Sequence, residues 1–578
     1  MNQVLHGKVQ MTKNIYKDLS AERKKLQEEG LVPSWYSTGG YQMFKDKYEY
    51  QTEGRSVKGQ FERIATTAAK HLKGTIFETK AEKEFFKLLW NGWLSPSTPV
   101  LANMGTTRGM PVSCSGTVAS DSVDGFYSNL HEVAMLTKYG FGTATDLSGI
   151  RPRGSNISVG GKASGILPIV KEHVSAMRNI AQGTARRGAW ACYLNIEHGD
   201  FNELVDHVLS EPDDLNVGWT IKQSFIDRLN AGDTEAVERF QRAMKVKMVT
   251  GKGYFFFIDK ANNKRPQMYI DKNLFINNSQ LCSEIMLFND AEHTYTCVLS
   301  SMNAAKWNEW KDTDAVFWAT VFLDCVAEEF IAKAKGIHGL EKAVRFTEKS
   351  RALGLGLAGI HTLFMQEGLP FESFDAHMLS QKISAFIMND AKLATKEMAV
   401  ILGEPEWCIG YGVRNTHLIA IAPTKSTALL MGGISEGINP DPAMSYNQTT
   451  SAGEVDRTNP VLLELMKSKG VYTKKHIQEI TDKQGSVQHV EWLTDKEKEV
   501  FKTAFEINQK AVLRLASARS IYIDQWQSLN LFFSADEDPA WISEVHQEAF
   551  SDENILALYY IYTQAGVQGA KGECEACQ

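Results

Sequence analysis

The run Ala352-Leu-Gly-Leu-Gly-Leu-Ala-Gly359 is short, apolar and rich in glycine, a texture typical of a buried strand. Similar runs occur at Ala189 to Asn195 and at Gly253 to Ile258, and longer helical segments separate them. Buried strands that alternate with helices predict an α/β architecture with a mainly parallel sheet. A single large barrel explains this pattern as well as several smaller domains do.

The two ends of the chain have a different texture. Residues 1 to about 90 are charged, with apolar residues at spacings of three and four, as in Asp18 to Glu29 and Val57 to Lys73, which predicts helices. Residues 563–578, TQAGVQGAKGECEACQ, carry almost no bulky side chain and cannot bury a core. We therefore expect a helical N-terminal domain over 1–90, an α/β domain over 91–562 and a flexible tail over 563–578.

The composition indicates a globular protein, which we place in the cytoplasm. Of 578 residues, 43% are hydrophobic and 23% charged, which excludes a mainly disordered, collagen-like or coiled-coil chain. The 62 basic and 69 acidic side chains give a formal charge of −7, which does not support broad binding to nucleic acid or membranes. The N-terminus has no secretory signal, and the apolar stretch Ala315 to Phe330 is too short and too charged to span a bilayer.

The cysteines indicate a reducing compartment and single out one pair. Eight cysteines are too few for a disulfide scaffold. They are Cys114, Cys192, Cys282, Cys297, Cys325, Cys408, Cys574 and Cys577. Only the last two form a CxxC, and no second pair or metal-spaced histidine accompanies them, so a zinc site is not predicted. The linker from Tyr560 to Cys574 has a typical reach of roughly 20 Å, so this CxxC could visit a buried disulfide and then a reductant.

Two short segments each allow two interpretations. In Gln280-Leu-Cys282-Ser-Glu284 an extended backbone would place the amide, the thiol and the carboxylate on one face. The alternative is an ordinary strand with a buried cysteine and solvent-facing Gln280 and Glu284. The adjacent Tyr559 and Tyr560 are either packing aromatics or, beside a buried thiol, two phenols that relay a radical, since a phenol loses its proton and electron together on oxidation.

Taken together, these residues resemble the catalytic α subunit of class I ribonucleotide reductase. The resemblance rests on Cys282 with Glu284, on the Tyr559-Tyr560 pair and on the terminal CxxC, and it extends from about Trp90 to the C-terminus. Further stretches are similar to signatures of that family in the expected order: SPSTPVLANMG (Ser95 to Gly105), VSCSG (Val112 to Gly116), APTKST (Ala422 to Thr427), SEGINP (Ser435 to Pro440) and DQWQSLNLFF (Asp524 to Phe533).

The resemblance implies a ten-stranded α/β barrel with a central finger loop, preceded by the helical domain. It implies that Cys282, at the loop tip, becomes a thiyl radical that abstracts hydrogen from C3′ of the ribose. Glu284 would act as general base on the 3′-hydroxyl. Cys114 and Cys297, which only the fold can bring together, would supply two reducing equivalents and end as a disulfide.

The resemblance also assigns the remaining redox residues. Cys574 and Cys577 would reduce the internal disulfide, and Tyr559 and Tyr560 would pass the radical from a separate β subunit. The other three cysteines match no role in the family and are assigned to packing: Cys192, Cys325 and Cys408. One departure concerns Gln280, because the family usually has Asn there. Gln offers the same donor and acceptor groups on a stem longer by one methylene, so it could still bind the substrate hydroxyl if the backbone shifts.

Phosphate-binding residues are expected just before an apolar, helix-like run. Backbone N–H groups and hydroxyls at such a position bind phosphate, although the same residue types also cap helices. The resemblance favours phosphate binding. The residues predicted in this way are Thr424, Lys425, Ser426 and Thr427, and Thr98 and Ser113 resemble further substrate-contacting positions of the family.

Two basic, glycine-containing loops, at 149–155 and 182–188, have counterparts in the family that bind a deoxynucleoside triphosphate effector. We predict that Asp121, Arg151 and Arg186 bind that effector and so regulate substrate specificity. The N-terminal region shows no match to the family's ATP-cone. We therefore expect no overall on/off control by ATP and dATP at such a domain.

The sequence thus predicts a ribonucleotide reductase catalytic subunit that makes 2′-deoxyribonucleotides, from diphosphates, for DNA synthesis. The expected partners are a metal-containing β subunit that supplies the radical, a thioredoxin- or glutaredoxin-like reductant, and a second copy of the chain in a homodimer. The α chain itself is expected to hold no metal or other cofactor. The alternatives are an adenosylcobalamin-dependent reductase, which would need no tyrosine relay, and a catalytically impaired nucleotide-binding homologue, for which Gln280 is the indication.

Overall fold

Strands and helices alternate through most of the computed structural model, which describes residues 16–50, 56–182, 186–450 and 453–564. The strands are β1 (Leu94–Pro96), β2 (Cys114–Val118), β3 (Gly142–Asp146), β4 (Ala181–Gln182), β5 (Arg186–Arg187), β6 (Trp190–Asn195), β7 (Asn216–Ile221), β8 (Tyr254–Phe257), β9 (Tyr295–Asn303), β10 (Leu353–Ala358), β11 (Ser445–Thr450), β12 (Gly453–Thr458), β13 (Leu531–Phe533), β14 (Ala557–Leu558) and β15 (Ile561–Thr563).

Helices fill the connections between these strands. They are α1 (16–28), α2 (Thr38–Met43), α3 (Val57–Ala69), α4 (Glu78–Trp90), α5 (Thr98–Asn103), α6 (Val123–Lys138), α7 (Leu167–Asn179), α8 (Phe201–Ser210), α9 (Gln223–Asn230), α10 (Thr234–Thr250), α11 (Ile258–Asn263), α12 (Gln267–Asp271), α13 (Trp307–Trp310), α14 (Ala315–Ala334), α15 (Glu341–Ser350), α16 (Ile360–Gln366), α17 (Phe374–Leu402), α18 (Lys425–Leu430), α19 (Pro460–Ser468), α20 (Lys474–Asp482), α21 (Asp495–Val500), α22 (Gln509–Arg519) and α23 (Pro539–Ser551). A π-helical turn spans Phe44–Tyr48.

Five parallel strands form one half of the central sheet. β2, β3, β6, β7 and β8 lie side by side in that order, and every neighbouring pair is parallel. Parallel neighbours need a crossover connection, which here contains α6, then α7, then α8, then α9 and α10. All residues of β7 and β8 are buried, as expected of strands covered on both faces.

The second half of the sheet runs in the opposite direction and closes a ring. β9 is antiparallel to β2 and parallel to β10. Parallel bridges from Leu355 to Ile419 and from Ile421 to Gln527 add the extended segments 418–421 and 525–529. Segment 525–529 is joined to the end of β14 by a hydrogen bond of 2.9 Å from the Tyr559 N–H to the Leu529 carbonyl. β14 in turn pairs with β8 in antiparallel orientation. The second half thus consists of β9, β10, segment 418–421, segment 525–529 and β14. Together with the five parallel strands it forms a ring of ten, and the predicted ten-stranded α/β barrel is confirmed.

Helices precede the barrel, as predicted, and share its core. α3 and α4 pack against each other and against α14. The Phe85 ring of α4 meets Trp318 and Phe322 of α14 edge-on, with centroid distances of 6.1 and 5.4 Å. The same continuous hydrophobic core contains buried residues of these helices and of the strands.

The most apolar helix, α14, is buried between the N-terminal helices α3 and α4 and the barrel strands β9 and β10. Its Asp324 carboxylate is buried between the guanidinium groups of Arg351 and Arg414, at 3.3 and 2.9 Å. The two cations hold the pKa of Asp324 below its usual value in spite of its burial. Across the described ranges, α14 included, none of the helices has the length and apolarity that a bilayer crossing needs.

Candidate active site

The predicted radical cysteine lies in the long loop between α12 and β9. Its residues 280–284 form a turn, in which the Ser283 N–H donates to the Gln280 carbonyl at 3.4 Å. Ser283 has a φ of 65°, in the left-handed region that serine seldom adopts. The segment is therefore not extended, and its side chains do not share a strand face. Gln280 and Glu284 are fully buried, which also contradicts the interpretation in which both face solvent.

Contacts from both halves of the barrel hold this turn in the interior. From β6, the Tyr193 hydroxyl donates to the Gln280 carbonyl at 2.8 Å. From segment 525–529, the Ser528 hydroxyl donates to the Cys282 carbonyl at 2.8 Å, and the Trp526 N–H donates to the Glu284 carbonyl at 3.0 Å. The Cys282 side chain is consequently buried, with 2% of its surface exposed. This is the central finger-loop position that the resemblance implies.

The turn brings the side chains of Gln280 and Glu284 together. The Gln280 amide donates to Glu284 Oε2, which also accepts from the Ser528 hydroxyl at 3.1 Å. The amide oxygen of Gln280 accepts from the Ser279 hydroxyl at 3.0 Å and from the Ile285 N–H at 3.1 Å, which directs its NH2 group toward the carboxylate. The extra methylene of Gln280 is thus accommodated, and its amide orients Glu284.

Burial gives Glu284 the properties of a base that works near neutrality. Its carboxyl is removed from water, and this raises its pKa to about 7, although the hydrogen bonds from Gln280 and Ser528 oppose the shift. Glu284 Oε1 has no hydrogen-bond partner among the described residues. One oxygen is therefore held in place while the other is available to a ligand.

The structure brings Cys114 and Cys297 face to face. They are directly opposed residues in the antiparallel pairing of β2 with β9, and both are buried thiols. Opposed residues in such a pair have Cα atoms about 4.5 to 5.5 Å apart, within the range that a disulfide requires. Gly354 of β10 leaves room for one thiol, since a Cβ there would lie 2.8 Å from Cys297 Sγ. Burial raises the pKa of Cys297 well above its usual value, so this thiol is protonated.

The two adjacent tyrosines, which directly follow β14, pack against each other with their ring planes tilted by 57°. Their ring centroids are 4.2 Å apart, with Tyr559 buried and Tyr560 half-buried. Tyr562 continues the series at 5.6 Å from Tyr560. The Tyr559 N–H is bonded to Leu529, and Leu529 follows Ser528, which holds the Cys282 turn. The row of phenols thus ends at Tyr559, whose backbone is bonded to the segment that holds the Cys282 turn.

Two further residues support these tyrosines and were not singled out from the sequence. Tyr254 of β8 packs on Tyr559 and Tyr560, with centroid distances of 4.9 and 5.5 Å. The buried ammonium of Lys247 donates to the Tyr559 carbonyl. Tyr254 begins the run Tyr254-Phe-Phe-Phe257, which the sequence marks only as a buried strand. The contributions of Tyr193, Trp526 and Ser528 to the turn were likewise missed, although the last two belong to the quoted DQWQSLNLFF stretch.

The predicted phosphate-binding residues lie at the start of α18. Thr424 has a φ of 56°, and its hydroxyl accepts from the Gly437 N–H at 2.8 Å instead of capping the helix. Thr424, Ser426 and Thr427 are buried, while the Lys425 ammonium lies over the Tyr562 ring at 5.2 Å. The helix-capping interpretation therefore does not account for Thr424.

The other two predicted substrate contacts, Thr98 and Ser113, have buried side chains. Thr98 is the first residue of α5, and Ser113 directly precedes β2. The Thr98 hydroxyl is bonded to the Tyr48 hydroxyl at 3.0 Å. Ser113 precedes Cys114, and its buried hydroxyl has no partner among the described residues. Ser113 thus holds an unused donor beside one of the two opposed thiols.

The structure pairs two of the three predicted effector-binding residues. The Arg151 guanidinium donates to Asp121 at 2.7 Å, and both side chains are partly exposed. Arg186 lies in the short hairpin of β4 and β5, where its backbone pairs with Gln182. The structure does not describe the Arg186 side chain.

The remaining cysteines fall into two groups. Cys192 in β6, Cys325 in α14 and Cys408 are buried, which agrees with their assignment to packing. Cys574 and Cys577 lie outside the described residues. Within the described part of the chain, no group of three His, Cys, Asp or Glu side chains is close enough to hold a metal ion.

Comparison with known proteins identifies the family. The model of the ribonucleotide reductase barrel domain matches residues 112–238, 226–407 and 406–561, and the model of the ribonucleotide reductase all-alpha domain matches residues 34–109. The chain is 32% identical over 521 residues to a putative ribonucleoside-diphosphate reductase large subunit of Frog virus 3, covering 84% of this chain and 90% of that protein.

Two more relatives extend this result. The ribonucleoside-diphosphate reductase large subunit of Invertebrate iridescent virus 3 is 28% identical, covering 90% of this chain and 92% of that protein. The solved structure of the class Id ribonucleotide reductase alpha subunit of Actinobacillus ureae superposes with a TM-score of 0.84 at 33% identity, covering 94% of this chain and 99% of that one. The chain therefore belongs to the ribonucleotide reductase large-subunit family.

Proposed function

We propose that this chain is the catalytic subunit of a class I reductase that converts ribonucleoside diphosphates into 2′-deoxyribonucleoside diphosphates for DNA synthesis. The observation that carries the proposal is the arrangement inside the barrel. A buried thiol, Cys282, and a buried carboxylate, Glu284, lie on one turn, and the thiols Cys114 and Cys297 are opposed on the adjoining strands.

The first half of the reaction uses the turn. A thiyl radical at Cys282 takes the hydrogen atom from C3′ of the ribose, so that an S–H bond forms and a C–H bond breaks. Glu284 accepts the proton of the 3′-hydroxyl through its unpartnered Oε1, while Gln280 and Ser528 hold Oε2. Burial in the barrel shields the radical from water and from side reactions.

The second half uses the opposed thiols. The 2′-hydroxyl leaves as water, and Cys114 and Cys297 together give up two electrons and two protons and form a disulfide. Cys282 then returns its hydrogen to C3′. The net reaction is one ribonucleotide and two thiols giving one deoxyribonucleotide, one disulfide and one water. The in-register pairing of the two cysteines supports this assignment.

Two further proteins complete the cycle. A separate β subunit, whose metal centre generates the radical, delivers it through Tyr560 and Tyr559, and the 4.2 Å spacing of their rings supports this route over an internal cobalamin. Cys574 and Cys577 reduce the spent disulfide and are themselves reduced by a thioredoxin- or glutaredoxin-like protein. The few cysteines and the absence of a disulfide framework fit the reducing environment of the cytoplasm.

A deoxynucleoside triphosphate bound at Asp121 and Arg151, with Arg186 from the neighbouring hairpin, selects the substrate base. Directly after Asp121, α6 exposes the apolar side chains of Val123 and Tyr127, 71% and 58% exposed. Such exposed apolar residues fit a contact between two copies of the chain. The effector site and a homodimer interface would then be joined by one helix.

The decisive experiment is turnover of a ribonucleoside diphosphate by the chain together with the β protein encoded alongside it. We expect a product that lacks the 2′-hydroxyl. The variant Cys282→Ser should form no product and still bind the effector, because it loses only the thiol. Formation of product by Cys282→Ser would remove the radical assignment, and absence of product from the wild-type pair would refute the proposed activity.

A further inference from the structure

One buried phenol in the barrel has no function in the reaction described above. Tyr295, the first residue of β9, is fully buried, and its hydroxyl has no hydrogen-bond partner among the described residues. Leaving such a group unpaired costs about 1 to 3 kcal/mol. Phenylalanine at this position would avoid that cost. The presence of the hydroxyl therefore indicates a ligand that forms a hydrogen bond with it.

The pairing of two strands places this phenol beside the reducing thiols. Tyr295 and Cys297 are two residues apart on β9 and share one face, as do Gly116 and Cys114 on β2. Tyr295 is opposed to Gly116, and its ring lies across that glycine. A Cβ at Gly116 would be 2.0 Å from Tyr295 Cζ and 2.2 Å from its hydroxyl oxygen, so only glycine admits the ring.

The titratable groups that act electrostatically on Tyr295 include those of the proposed reaction. They are the thiols of Cys114 and Cys297, the Glu284 carboxyl and the Tyr193 phenol. Burial, with these groups nearby, raises the pKa of Tyr295 well above its usual value. The phenol therefore keeps its proton and remains a hydrogen-bond donor.

Tyr193 can be compared with Tyr295, because it is also a buried phenol against a strand glycine but its hydroxyl has a hydrogen-bond partner. Its ring also lies against a glycine, where a Cβ on Gly218 would be 2.4 Å from Tyr193 Cε1. Its hydroxyl, however, donates to the Gln280 carbonyl at 2.8 Å. Of these two buried phenols, Tyr193 serves the protein and Tyr295 is left for a ligand.

We propose that Tyr295 is a further substrate-binding residue, whose phenol donates a hydrogen bond to the 2′-hydroxyl of the bound ribonucleotide. This inference rests on the proposed function. The thiols of Cys114 and Cys297 must lie beside C2′ to supply the electrons that remove its hydroxyl, and Tyr295 lies beside both thiols, whereas Glu284 serves the 3′-hydroxyl. A donor at this place orients the oxygen that leaves and distinguishes ribose from deoxyribose.

The test compares two ligands and three proteins. The dissociation constants of a ribonucleoside diphosphate and of the matching 2′-deoxyribonucleoside diphosphate are measured at saturating effector for the wild type, Tyr295→Phe and Tyr269→Phe. Tyr295→Phe keeps the ring over Gly116 and loses only the hydroxyl. We expect it to bind the ribonucleotide about threefold to tenfold more weakly, the effect of one neutral hydrogen bond, and to bind the deoxyribonucleotide like the wild type.

Tyr269→Phe is the control, because it also removes a buried phenol, from α12 and outside the residues assigned to the reaction, and its ratio of the two dissociation constants should equal that of the wild type. The inference is overturned if Tyr295→Phe weakens both ligands equally or neither of them. Circular dichroism and thermal melting establish that each variant is folded. Failure of the proposed function is seen separately, as absence of 2′-deoxy product from the wild type with its β protein, whereas an unchanged ratio in an active enzyme refutes only the Tyr295 assignment.

Discussion

Among single residues, Glu284 shows how a carboxyl is adjusted to its task without any charged partner. Its Oε2 accepts from a neutral amide and a neutral hydroxyl, and no ion pair reaches it from the described residues. A nearby cation would lower its pKa, and burial alone raises it to about 7. A base with that pKa can both take and return a proton at neutral pH.

Glu284→Gln should lower kcat by about 100-fold or more while leaving substrate affinity nearly unchanged, because general-base catalysis typically contributes that much. In the wild type, kcat/KM should fall as the pH drops through about 7, since the carboxyl becomes protonated and can no longer accept the 3′-hydroxyl proton. Steady-state kinetics between pH 5.5 and 8.5 measure both effects. A wild-type profile that is flat across pH 7 would contradict the assignment of Glu284 as the base.

Among secondary-structure elements, the pairing of β2 with β9 does the most to build the site. It joins the two halves of the barrel, opposes the two thiols and sets Gly116 against the Tyr295 ring. The absent side chain at Gly116 is therefore a packing requirement, because the ring occupies the space that a Cβ needs. The backbone conformation of Gly116 does not require glycine, since this residue is not in the left-handed region.

Gly116→Ala should destabilise the protein by about 1 to 3 kcal/mol, the usual cost of overpacking a buried site. The apparent Tm from differential scanning calorimetry measures it. Gly149→Ala is the matched control, because a Cβ there meets no atom within 4 Å and the glycine has no positive φ. Equal Tm values for the two variants would show that the Tyr295 ring is not held against β2.

For the molecule as a whole, the site depends on parts that are distant in sequence. The turn at Cys282 is held by Tyr193 from one half of the barrel and by Ser528 from the other. The opposed thiols are buried within the same barrel. A large protein cannot enter such a site, so re-reduction of a disulfide there needs a carrier from the chain itself, which is the task proposed for Cys574 and Cys577.

Cys574→Ser should stop turnover with thioredoxin as reductant after about one product per site, while dithiothreitol, a small molecule, should restore multiple turnovers. Single-turnover and steady-state assays with each reductant measure the difference. Glu575→Ser is the control, because it lies between the two cysteines and leaves both thiols. Equal steady-state rates of Cys574→Ser with the two reductants would contradict the carrier role.

The sequence predicted the barrel and the helical N-terminal part because short glycine-rich apolar runs and ordered family signatures are local features. It missed the turn at 280–284, since the left-handed Ser283 follows from contacts with Ser528 and Trp526 that lie more than 200 residues away in the chain. The unpaired hydroxyl of Tyr295 could not be predicted from the sequence for the same reason. Its significance depends on the register of β9 against β2, which no local pattern specifies.

The opposition of Cys114 and Cys297 has a consequence for heat resistance. They are 183 positions apart in the chain, and a bond between them would close a loop of that length across the seam of the two half-barrels. In the chain-entropy treatment, such a cross-link disfavours the unfolded state by about 5 kcal/mol. Each catalytic cycle would therefore convert the reduced enzyme into an oxidised form that is more stable against unfolding. Reduction of the disulfide, which restores activity, would remove that added stability.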